Sequence, residues 1–202
     1  MSRPVAPKAP PMYLDLIIAG FGGQGILLMG NLLACAAMEA GLHATFIPVY
    51  GAEMRGGTAN CTVVLSNAEI GSPLIRRPHS LIIMNRPSYE KFVPLIQPGG
   101  VCVVNTNLVE TPPPPPAGTR IVGVQANALA EQAGNGRLAN MVALGAYIAA
   151  TGVVPLALVA RTLPQVLSAH YQHLLETNTT ALNLGYAAGV KALEATTAQA
   201  HA

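Results

Sequence analysis

Residues 14–41 constrain the fold of this chain more than any other stretch. Residues 14–19, LDLIIA, form an apolar run of strand length, and the turn Gly20-Phe21-Gly22-Gly23-Gln24-Gly25 follows it. Residues 25–40 then read as an apolar helix that stops at Gly41, a natural left-handed C-terminal position. Strand, glycine-rich turn and helix in that order open an α/β unit. Glycine permits positive φ and lets a ligand approach bare backbone. The helix aims its unpaired N–H groups and positive dipole end at the same place. Gly20, Gly22, Gly23, Gln24 and Gly25 are therefore candidate binding residues for a phosphate-bearing ligand or for the cofactor region of a partner. The alternative is a tight crossover that holds nothing.

Further strands are expected at 44–50, 60–66, 81–85, 101–105 and 121–124, with a short helix at 87–96. Residues 66–73 read as a turn excursion, and the prolines at 112–116 as a stiff connector without donors. From 126 to 195 the chain reads as helical, with breaks near 134–136, Gly152 and Pro164. The fold class is α/β: a Rossmann-like, mostly parallel sheet with helices on both faces and a helical C-terminal part. Residues 1–12, with four prolines, are expected to be a disordered tail, and residues 13–202 a single domain. Such sheets bind ligands at their carboxyl edge, beside the point where strand order reverses. The chain order allows both glycine loops, 20–25 and 51–57, to share that edge.

Composition narrows the function. Charged residues make up only 10% of the chain and apolar residues 51%, against about 25% charged in an average domain. So little charge implies that companion subunits cover part of the surface. Net charge is +2 and there is no basic run, so a nucleic-acid footprint is absent. Residues 138–160 carry no charge, but Asn140, Tyr147, Thr151, Gly152 and Pro155 interrupt them, which argues for a buried helix, a break at 151–152 and the start of a second helix over a membrane span. The N-terminal residues lack the apolar segment of a secretory signal, so a cytoplasmic location is expected. Cys35, Cys61 and Cys102 show no C-x-x-C spacing and read as small core residues in a reducing compartment. Asp15 is the only aspartate, which disfavours a carboxylate-held magnesium ion. His170 and His173 lack a neighbouring acid or thiol and read as surface residues.

The second loop is Gly51-Ala52-Glu53-Met54-Arg55-Gly56-Gly57-Thr58. Arg55 is suited to clamp a phosphate or carboxylate through two parallel N–H bonds. Glu53 is suited to accept from a ligand or to fix Arg55, and the bland alternative is a Glu53–Arg55 pair at a subunit contact. A nicotinamide site would need an acid at the end of the second strand, and that strand ends in Val49-Tyr50. A Walker A loop is excluded because no Lys-Ser or Lys-Thr follows the glycines.

Together the two loops are recognisable. GFGGQG opening an apolar helix, then VYGAEMRGGTANCTVVLSN and EIGSP, closely resembles the gamma subunit of 2-oxoacid:ferredoxin oxidoreductases, of the 2-oxoglutarate or branched-chain type. NMVALGAYIAATG at 140–152 and ETNTTALNLGYAAG at 176–189 resemble that family's later helices. The resemblance implies a subunit with no catalytic residue of its own. It works with alpha and beta companions, with delta as a further candidate, and passes electrons to ferredoxin through the complex. Thiamine diphosphate, magnesium and iron–sulfur clusters belong to companion subunits. This chain is expected to help bind coenzyme A through Gly20, Gly22, Gly23, Gln24 and Gly25 together with Glu53, Met54, Arg55, Gly56, Gly57 and Thr58. The competing readings are an assembly module without a ligand, a free-standing NAD-dependent enzyme, and a subunit of an indolepyruvate-type oxidoreductase.

Overall fold

The computed structural model describes residues 12–49, 58–110 and 112–200, with side chains as far as 196 and without that of Thr58. Residues 1–11 of the tail expected at 1–12 and the loop residues Glu53, Met54, Arg55, Gly56 and Gly57 lie outside the described residues. Met12 is already tied down: its N–H donates to Asn67 Oδ1 at 2.9 Å, and its carbonyl accepts from Asn67 N.

Six strands form one sheet: β1 (Tyr13–Phe21), β2 (His43–Val49), β3 (Thr58–Ser66), β4 (Ser80–Ile83), β5 (Val101–Asn105) and β6 (Arg120–Val124). Their order is β2-β3-β1-β4-β5-β6. β1, β4, β5 and β6 are parallel, and their continuous apolar runs are buried on both faces. β3 alone is antiparallel to its neighbours β1 and β2. The reason is connection length, because residues 50–57 are too few for the crossover of about a dozen or more that a parallel pair needs. β2 lies at the sheet edge, where Pro48 removes no bond that the ladder requires.

Helices cover both faces unequally. Leu16, Ile18, Cys61, Val63, Leu65, Ile82, Val103 and Val122 face the larger core. That core lies under α1 (Ile26–Glu39), α3 (Ala126–Gln132), α4 (Ala139–Thr151), α5 (Leu156–Val166) and α6 (Leu175–Ala200). The alternate residues Ile17, Ala19, Leu81, Ile83, Cys102 and Val104 face a smaller core under α2 (Arg86–Phe92). Tyr89 of α2 also donates its hydroxyl to the carbonyl of Pro113 at 3.0 Å, which straps the proline run over this face.

α4 crosses the larger face against the strand direction. At one end Asn140 lies against Gly25, beyond the carboxyl end of β1. At the other, the Tyr147 hydroxyl meets Ser80 Oγ at 2.9 Å where β4 begins. α4 ends at Gly152 in the left-handed conformation, and α5 starts afresh after Pro155. Among the described residues no helix is long and apolar enough to cross a membrane. Pro164 does not break the chain where expected: it sits in the last turn of α5, which continues to Val166. Gln172 Nε2 then donates to the carbonyls of Pro164 and Leu167 and closes that end.

The cysteines divide. Cys61 and Cys102 are buried on opposite faces, whereas Cys35 is only half-buried and does not belong to the core as expected. Burial pushes the Cys61 thiol up from 9.0 to about 12, and raises that of Cys102 as well. A raised thiol stabilises the fold fully below pH 9, and that contribution is lost as pH climbs toward 12. Thermal melts should therefore hold level between pH 7 and 8.5 and fall above pH 9, with a shallower fall in Cys61→Ala. In the folded chain a thiol reagent should modify Cys35 quickly, and Cys61 and Cys102 only on unfolding.

Candidate functional site

β1 stands where the sheet reverses its order of winding. The chain leaves β1 through α1 toward β2 on one side, while β4, β5 and β6 add on the other. The carboxyl end of β1 is therefore the switch point at which α/β sheets bind ligands, and it is there that the glycine turn lies.

The turn is built by backbone freedom and one side chain. Gly23 has φ 91° and Gly25 φ 71°, both in the left-handed region that favours glycine. Gln24 Oε1 accepts from Phe21 N at 2.6 Å, and Gln24 Nε2 reaches the Met84 carbonyl at 3.5 Å. Gln24 thus braces the turn through Oε1 and reaches the residue that follows β4 through Nε2. Gly20 is packed on all sides: a β-carbon there would lie 2.6 Å from Gln24 Oε1 and 2.8 Å from Met84 Cβ. Gly22 and Gly23 are exposed, and Phe21 stands 38% exposed at the mouth.

Gly25 is the N-cap of α1, and among the described residues no side chain caps that helix end. The first-turn N–H groups of a helix have no partner within it. No acidic residue occupies the first turn of α1. The result is a helix N-terminus with free donors and a positive dipole end, suited to an anion.

The strand ends that bound the second loop lie at this edge. Phe21 pairs with Thr58 and Gly20 with Ala59 across β1 and β3, while Val49 pairs with Asn60 across β2 and β3. The chain therefore leaves β2 and re-enters β3 beside the turn, and residues 50–57 join those two points.

The structure adds polar residues that the sequence motifs did not single out. Asn85 follows β4 and caps α2, with Oδ1 accepting from Ser88 N at 2.9 Å. Asn105 closes β5, accepts from the N–H groups of Asn107 and Ala126, and donates to Asn127 Oδ1 at 2.8 Å. Asn140 of α4 is buried against Gly25. The signal was present as an asparagine closing each of the apolar runs LIIMN and VCVVN, and one opening MVALGA.

Other chemistry-bearing residues lie elsewhere. Asp15 is at the opposite end of β1, where Oδ1 accepts from His79 N at 2.6 Å and lies 3.1 Å from His79 Nδ1. His170 and His173 are exposed, with ring centroids 6.3 Å apart. No group of three or more metal-ligating side chains occurs among the described residues.

Comparison with known proteins matches residues 15–188 to the family described as pyruvate ferredoxin/flavodoxin oxidoreductase. Ketoisovalerate oxidoreductase subunit VorA of Methanothermobacter marburgensis is 41% identical over 132 residues, which is 65% of this chain and 27% of that protein. The chain thus spans about a quarter of the length of that relative. The keto/oxoacid ferredoxin oxidoreductase gamma subunit of Geobacter sulfurreducens superposes with a TM-score of 0.79 at 26% identity, over 90% of this chain and 98% of that one. The 2-oxoglutarate:ferredoxin oxidoreductase of Magnetococcus marinus, solved with 2-oxoglutarate, coenzyme A and succinyl-CoA, superposes with a TM-score of 0.80 at 26% identity, over 89% of this chain and 31% of that one. The chain belongs to the pyruvate ferredoxin/flavodoxin oxidoreductase family and has the fold of its gamma subunits.

Proposed function

We propose that this chain is the gamma subunit of a 2-oxoacid:ferredoxin oxidoreductase, active only in complex with companion subunits, and that its glycine turn forms part of the coenzyme A pocket. The observation that carries the reading is the uncapped N-terminus of α1 at the switch point, beside the strand ends that bound residues 50–57. Coenzyme A carries a diphosphate and a ribose phosphate, which suit free N–H donors and a positive dipole end. A structural relative was solved with coenzyme A bound. We assign 2-oxoglutarate as the substrate, in keeping with the same relative. Alpha and beta subunits are the expected companions, and they carry the thiamine diphosphate, magnesium and iron–sulfur clusters. That division suits a chain whose three cysteines lie on α1, β3 and β5 and whose one aspartate is committed to His79.

In this reading the chain holds the anionic end of coenzyme A, so that its thiol reaches the reacting acyl group on a companion subunit. Arg55 clamps a phosphate. Replacing it by Ala in the assembled enzyme removes a charge-assisted contact of about 1.5–3 kcal/mol. The KM for coenzyme A should then rise by roughly 10- to 100-fold, with a far smaller change in the KM for the 2-oxoacid. Equal changes in both would reject the clamp and point to a role in assembly.

A further inference from the structure

Four buried polar side-chain atoms among the described residues have no hydrogen-bond partner: Asn85 Nδ2, Ser88 Oγ, Thr119 Oγ1 and Asn140 Oδ1. An orphaned buried acceptor destabilises a fold by about 1–3 kcal/mol, so each needs a reason for being kept. Asn140 is the one that stands against the glycine turn. It is 4% exposed, and it opens α4 next to the apolar Ala139, Met141 and Val142. An apolar side chain of the same shape would fill that place without leaving an acceptor unpaired. The Asn140 amide presses on the N-cap of α1: a β-carbon at Gly25 would overlap Nδ2 and lie 2.9 Å from Cγ. Turning the amide over would bury Nδ2 and bring Oδ1 to the positive end of the helix, so one polar end faces Gly25 in either orientation. With Nδ2 outward, the side chain adds a donor to the free N–H groups that open the 14-residue α1.

We propose that Asn140 is a ligand-binding residue of this site, donating its amide N–H to an anionic phosphate group held at the start of α1. The inference rests on the coenzyme A reading above and names a contact which that reading does not require. Among the described residues Asn140 Oδ1 pairs with no protein group, so replacing this amide tests binding separately from stability.

The test is isothermal titration of coenzyme A into the assembled complex, paired with melting curves, for wild type, Asn140→Leu, Asn140→Asp and Gly25→Ala. Asn140→Leu should melt at or above the wild-type temperature yet bind coenzyme A at least tenfold more weakly. Asn140→Asp keeps the shape, turns the donor into a negative charge, and should bind more weakly still. The KM for the 2-oxoacid should be unchanged in both. A lowered melting temperature with unchanged coenzyme A affinity would make Asn140 a structural residue and overturn the proposal. Unchanged affinity in both Asn140 variants, with weakened binding in Gly25→Ala, would reject Asn140 alone and leave the coenzyme A reading standing. Unchanged affinity in all three would reject both.

Discussion

Gly25→Ala in the assembled enzyme should raise the KM for coenzyme A by roughly 10- to 100-fold while leaving the complex intact. Two effects combine. Gly25 has φ 71°, and holding alanine in that left-handed conformation costs about 1–2 kcal/mol. The new β-carbon would also overlap Asn140 Nδ2, which is fixed in the core at the start of α4. The turn must then move, and the N–H groups that open α1 move with it. Losing one charge-assisted contact to phosphate accounts for an affinity change of that size. Stability should fall as well, by about 2–4 °C for each kcal/mol in a chain of this length. Gly23→Ala separates the two effects: φ is 91°, but a β-carbon there meets nothing within 4 Å. It should carry the strain without the collision, and affect coenzyme A less.

Gly145→Leu and Gly185→Leu should abolish soluble expression. α4 and α6 cross backbone to backbone at these residues. A β-carbon at Gly145 would overlap the Leu182 carbonyl and lie 2.8 Å from Tyr186 N; one at Gly185 would overlap the Val142 carbonyl and lie 2.7 Å from Val142 Cα. The obstacle is backbone, which cannot rotate away as a side chain can. Alanine alone should destabilise by about 1–3 kcal/mol, as overpacking does. Gly189→Ala, at 2.8 Å from Ala146 Cα, should be milder. Gly71→Ala is the control, because a β-carbon there meets nothing within 4 Å and its φ needs no glycine. Soluble yield and melting temperature rank the series, and a Gly145→Ala variant melting with wild type would contradict the packing described.

Much of this architecture was legible in the sequence. Each run read as a strand became one, and α1 stops one turn residue before Gly41, where Leu42 N returns to the Ala37 carbonyl. Strand direction was harder to read, because a hydrophobic run looks the same parallel or antiparallel; only the shortness of 50–57 betrays that β3 turns back. Pro164 was read as a break because proline usually ends a helix, yet the last turn of α5 accommodates it. At the site, glycine spacing located the turn, and strand register placed Thr58 opposite Phe21. Gln24 was grouped with the ligand residues, and in the structure its Oε1 accepts from Phe21 N within the turn while Nε2 lies 3.5 Å from the Met84 carbonyl. Asn140 was read only as a polar interruption of 138–160, because it lies over a hundred residues along the chain from Gly25 and only the crossing of α4 over the sheet joins them.

A structure of the assembled complex with coenzyme A bound tests the central claim most directly. The account predicts a coenzyme A phosphate within hydrogen-bond reach of the backbone N–H groups of residues 22–26, at the carboxyl end of β1. Coenzyme A seated wholly on companion subunits, with the glycine turn packed against protein alone, would contradict it.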